Sequence, residues 1–61
     1  MRVELTDVYG QTIILHNVLS VFMSIVEDDI LCVKIFGENK ERRYNLKTLN
    51  YWGVTEQCSH E

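Results

Sequence analysis

Three consecutive acids, Glu27-Asp28-Asp29, sit between the aliphatic runs of "IVEDDILCVKIF", residues 25–36, and form the densest group of oxygen ligands in the chain. Carboxylates grouped in this way could hold a hard cation, but a calcium loop alternates its ligands and carries an internal glycine over about a dozen residues. Here aliphatic residues flank the acids directly on both sides. That pattern is a turn between two strands, where Asp is favoured because its side chain accepts from nearby backbone N–H groups and tolerates left-handed geometry.

The softer ligands are His16, Cys32, Cys58 and His60, and the short-spaced pair among them is "CSH" at 58–60. Structural zinc sites draw on pairs such as C-x2-C or H-x3-5-H, which let two ligands converge from one turn. None occurs here, so no metal is expected. Nucleophilic catalysis needs a hydroxyl or thiol beside a base and an orienting acid. Ser20 and Ser24 fall in a strand pattern without the flanking glycine that would expose a nucleophile, and His16 reads as an outward or rim residue at the end of the second strand. The glycines, Gly10, Gly37 and Gly53, are single and scattered, so no phosphate loop forms. The expectation is a protein that is not an enzyme, with no catalytic residue, cofactor or metal.

The stretch "KERRYNLK", residues 40–47, holds four of the six cations and one acid, a local charge of +3, while the remaining two cations and eight acids give −6. Lys40, Arg42, Arg43 and Lys47, with Tyr44 and Tyr51 nearby, are residue types that contact phosphates and stack on bases, as small β barrels do with single strands. The opposing reading is a solvated edge strand, on which cations discourage uncontrolled pairing. The formal net charge of −3 favours the second.

These residues must be carried by very little chain. At 61 residues there is one domain, near the size at which only roughly 60% of the unfolded surface can be buried. Hydrophobic residues at 46% and charged residues at 25% match a globular domain rather than a disordered one. Apolar runs such as Ile13–Leu15 and Val21–Met23 are far short of the ~18 residues of a membrane span. "MRVELTDV" lacks the apolar core of a secretory signal, and the expected location is the cytosol. Cys32 and Cys58 are expected to stay reduced there.

The apolar positions recur every second residue, the period of strands. Val3 and Leu5 share a face, as do Ile13 and Leu15, and pairing Val3 with Leu15 and Leu5 with Ile13 keeps the core side continuous. The loop is then Val8-Tyr9-Gly10, with Gly10 in the left-handed place of a three-residue hairpin loop. From Val18 to Val26, Leu19, Val21, Met23 and Ile25 form an apolar face, matched by Leu31, Val33 and Ile35, with Ile25 opposite Leu31 and Met23 opposite Val33. Pairing Ile35 with Tyr44 and Val33 with Leu46 leaves Asn39-Lys40 as a two-residue loop, although Glu38 would then face Glu41 and a longer loop is the alternative. "LKTLN", 46–50, suits one helical turn, and "YWGVTE" would bury Trp52 and Val54 side by side.

The fold expected is all-β: a five-stranded antiparallel meander, strongly twisted or closed into a small barrel, spanning residues 1–57, with residues 58–61 as a frayed tail. In strand count and spacing alone, without a diagnostic motif, it is similar to SH3-like small barrels. Phe22, Val26, Ile30, Phe36 and Tyr51 have the wrong parity for the inner face. They form the candidate partner surface, for a second copy or another protein. The leading expectation is therefore a small interaction protein presenting a β surface; the alternative is a nucleic-acid-binding barrel using Lys40, Arg42, Arg43 and Lys47.

Overall fold

A computed structural model describes residues 1–56 and contains six strands: β1 (Arg2–Asp7), β2 (Thr12–Leu15), β3 (Val18–Met23), β4 (Ile30–Ile35), β5 (Arg42–Asn45) and β6 (Leu49–Thr55). Gln57 and the expected tail at 58–61, including Cys58 and His60, lie outside the described residues. The strands form two antiparallel sheets, the first in the order β2-β1-β6 and the second in the order β3-β4-β5.

The first hairpin has the expected register, Val3 opposite Leu15 and Leu5 opposite Ile13. Gly10 has φ +90°, a conformation that costs a residue without Cβ little. Asp7 completes the turn: its Oδ1 accepts from the N–H groups of Tyr9 and Gln11, both at 2.9 Å. That carboxylate satisfies loop donors that would otherwise need water.

Between β2 and β3 the chain turns a corner at His16-Asn17, with Asn17 at φ 58°, a value that Asn reaches at lower cost than most residues. Both sheets are stitched to this corner. The Met1 amino nitrogen donates to the Val18 carbonyl and Val18 N–H donates to Met1 O, each at 2.9 Å; Phe36 N–H donates to Asn17 O at 2.9 Å.

The five-stranded meander and the closed barrel are corrected on two counts. The alternating segments of the sequence themselves number six, not five, and each forms a strand among the described residues. The last strand pairs with the first rather than with its predecessor. A 3-10 turn at Leu46–Thr48, within the helical turn expected at 46–50, redirects the chain between β5 and β6. Asn45 caps it by accepting from Lys47 N–H at 2.9 Å, and Thr48 O accepts from Val8 N–H at 3.0 Å, which pins the turn to the first hairpin. Among the described residues no ladder joins β5 to β6, so the barrel is open.

The two later registers also differ from expectation. Met23 opposes Leu31 and Val21 opposes Val33, so the β3–β4 loop is longer than Glu27-Asp28-Asp29, and Ile25 is 99% exposed instead of paired with Leu31. Leu19 is skipped by a bulge between Val18 and Ser20 and faces outward; an extra residue of this kind reverses the alternation on which parity arguments depend. Tyr44 opposes Leu31, not Ile35, which makes the β4–β5 connection the longer loop that the Glu38/Glu41 conflict favoured.

Among the described residues seven buried side chains make the core: Val3, Leu5, Leu15, Val18, Leu31, Val33 and Ile35, with Met1, Val21, Tyr44, Leu46 and Leu49 packed against it. Five of the seven come from β1 and β4, the central strand of each sheet. On the flanking strands Leu15 and Val18, beside the corner, are buried, and the other inner-face side chains are partly exposed. Trp52 and Val54 do share the inner face, opposite Leu5 and Val3, yet remain 38% and 45% exposed.

Candidate functional site

The face of the second sheet turned away from the core carries the row Phe22–Cys32–Arg43 across β3, β4 and β5. Cys32, between Phe22 and Arg43 on the central strand, is nevertheless buried, and the β3–β4 loop folds back beside it. Ser24 directs that fold: its Oγ accepts from the N–H groups of Val26 at 3.2 Å and Glu27 at 3.1 Å, a local bond that bends the chain at the strand end. Glu27 then reaches across to pair with Arg43. At the far end of the loop Asp29 takes φ 60°, and its carbonyl accepts from Leu46 N–H at 2.8 Å. The result is an open hollow of about 330 Å³ with Phe22 and Cys32 in its lining, Ile25 and Val26 from the loop, and Glu27, Glu41 and Arg43 as charged walls.

The acids and the basic run are each other's partners. Arg42 holds Glu38 through two parallel bonds, Nε to Oε1 at 3.1 Å and Nη2 to Oε2 at 2.8 Å; Arg43 pairs with Glu27; Lys47 Nζ lies 3.8 Å from Asp29 Oδ2. The Arg42 bonds hold the Glu38 carboxyl below its ordinary value, and Glu38 in turn raises that of Arg42. All three pairs are exposed and contribute little to stability. Their consequence is electrostatic, since three of the four cations singled out in the sequence already have a carboxylate neighbour. Arg42 stands opposite Val33 and Arg43 opposite Cys32, so the two point to opposite faces. Lys40 is exposed in the β4–β5 loop.

The expected partner residues are divided between surfaces. Phe22 and Val26 line the hollow, and Ile30 is half-buried on the same face. Phe36 follows β4 at the corner and is exposed. Tyr51 lies on the outer face of the first sheet, where its ring covers Gly53: a Cβ at Gly53 would meet the Tyr51 hydroxyl and come within 3.0 Å of the ring. Parity reasoning missed Ile13, Met23, Trp52 and Val54, which it assigned to the core and which are 38–50% exposed. No sequence signal marks them, because their exposure follows from lying on strands that flank the sheets, a pairing order that parity does not encode.

His16 is exposed at the corner and makes no side-chain hydrogen bond among the described residues. No three His, Cys, Asp or Glu side chains among those residues converge as metal ligands. Fold and site together define a small all-β protein of two three-stranded sheets with an extensive apolar surface. No known protein family, no curated protein and no solved structure matches the chain.

Proposed function

We propose that this is a non-enzymatic interaction protein that works by presenting apolar β surface to a protein partner, a second copy included. The observation that carries the reading is the imbalance of apolar burial. Among the described residues thirteen large apolar side chains are exposed, against eight apolar residues buried. Scattered single apolar residues on a surface are ordinary, whereas contiguous ones such as Phe22, Ile25 and Val26 around one hollow are the mark of an interaction site.

Nucleic-acid binding by Lys40, Arg42, Arg43 and Lys47 has weaker support, because carboxylates neighbour three of these cations and the two arginines diverge. The test is sedimentation equilibrium across concentration at low and high salt, beside an anisotropy titration with a single-stranded oligonucleotide. Association that persists at high salt, without oligonucleotide binding, is expected, since apolar contacts survive salt and phosphate contacts do not. A chain that stays monomeric throughout and binds the oligonucleotide with a steep salt dependence would overturn the reading.

A further inference from the structure

The backbone of β6 is an open pairing edge. In β1, Asp7 N–H donates to Gln11 O, so Asp7 points toward β2. By alternation Val3 and Leu5 do the same, and Arg2, Glu4 and Thr6 point toward β6, where they oppose Thr55, Gly53 and Tyr51. The groups left facing away from the sheet are those of Trp52 and Val54. Other strands carry the devices that blunt an edge: β5 has Arg42 and Arg43, β2 is only four residues long, and β3 is bulged at Leu19. β6 is the longest strand, contains no charge and no proline, and is regular from Tyr51 to Thr55 beyond an irregularity near Asn50.

Resting on the reading of the protein as an interaction module, we propose that its partner is a second copy of this chain, joined by antiparallel pairing of β6 with β6 about a two-fold axis at Gly53. This register places Trp52 of each copy beside Val54 of the other, and the outward N–H and C=O groups of both residues are then paired, giving four intermolecular backbone bonds by the antiparallel rule. Two half-exposed apolar residues cover their counterparts, an aromatic beside a β-branched side chain. Tyr51 falls opposite Thr55, and the two glycines meet at the axis, where the lack of Cβ leaves room for the Tyr51 rings. With no charged side chain in β6, no like charges are opposed. The product is one continuous six-stranded sheet.

An edge contact this short falls in the size class of transient complexes, under ~1,200 Å², so the dimer should be reversible with concentration. The test is sedimentation equilibrium of the wild-type chain, V54K and I14K. Ile14 is an equally exposed residue on the outer face of the first sheet. Expected are a wild-type dimer, dissociation at least about tenfold easier in V54K, and no change in I14K. Amide exchange of the wild-type chain guards against misfolding of the variant: Trp52 and Val54 N–H should gain protection as concentration rises. A monomer at every concentration, or exchange at these two amides that ignores concentration, overturns the proposal. A dimer weakened by I14K and not by V54K overturns it too, while leaving the broader interaction reading in place.

Discussion

Leu31→Ala and Ile25→Ala should have opposite outcomes, although parity alone would make the two residues equal partners across a hairpin. Leu31 is fully buried between Met23 and Tyr44, and Ile25 is 99% exposed in the loop. Truncating a buried leucine to alanine costs ~2–5 kcal/mol, the spread depending on how far the cavity collapses. A chain of 61 residues has a total stability of roughly 3–9 kcal/mol. Leu31→Ala should therefore remove a large part of the whole. Ile25→Ala removes no buried area and should stay within about 0.5 kcal/mol.

Urea titration reads this difference directly. With a slope of about 1 kcal/mol per molar for so small a protein, Leu31→Ala should lower the midpoint by roughly 2 M or more, and Ile25→Ala by no more than about 0.5 M. Trp52, the one tryptophan, reports by fluorescence and far-UV circular dichroism tests whether a second probe gives the same transition. The titration belongs at low micromolar concentration, where self-association adds nothing to apparent stability. Equal midpoint shifts for the two variants would refute the observed register and restore Ile25 to the core above a three-residue loop.

Gly10→Ala should destabilise by about 1 kcal/mol in thermal unfolding, through its φ of +90° alone, because a Cβ there meets nothing within 4 Å. Gly53→Ala has the opposite cause, a collision with Tyr51 at ordinary φ, and should be read as a displaced tyrosine ring in NMR spectra. Glu38, whose pKa is lowered in the folded state, contributes stability at pH above its unfolded value and loses it as pH falls through the folded value; the acid-unfolding curve of Glu38→Gln should lack that small component and match wild type in strong acid. Arg43→Ala should speed alkylation of Cys32 by removing the side chain that stands opposite it on β5.

The parts of the fold legible in the sequence are those where local chemistry and face pattern agree. Asp7, Gly10 and the alternation of Val3, Leu5, Ile13 and Leu15 all specify one hairpin, and that register is the observed one. Alternation continues through Leu19 and Ile25, however, and carries no mark of where pairing stops. The bulge at Leu19 and the Ser24 turn are set by contacts between strands and by a side-chain bond to backbone, neither of which has a period. The pairing of β6 with β1 was hidden for another reason: parity says which face a residue takes, and nothing about which strand lies beside it. The same gap explains the candidate surface, since Phe22 and Val26 meet around a hollow only because the loop folds back, while Tyr51 is carried to the other sheet.

Size links the core to the proposed partner. The principal extents of 38 × 27 × 14 Å leave two backbone layers and one thin core between them. In such an arrangement only the central strand of each three-stranded sheet has neighbours on both sides, which is why β1 and β4 supply most of the buried residues. The flanking strands keep one side open, and away from the corner that buries Leu15 and Val18 their inner-face residues Ile13, Met23, Trp52 and Val54 stay half exposed whatever their parity. Adding a strand beside β6 would give that strand the central position it lacks, burying Trp52 and Val54 as β1 already buries Leu5 and Val3. The interface would then repeat, between two copies, the packing that builds each sheet within one.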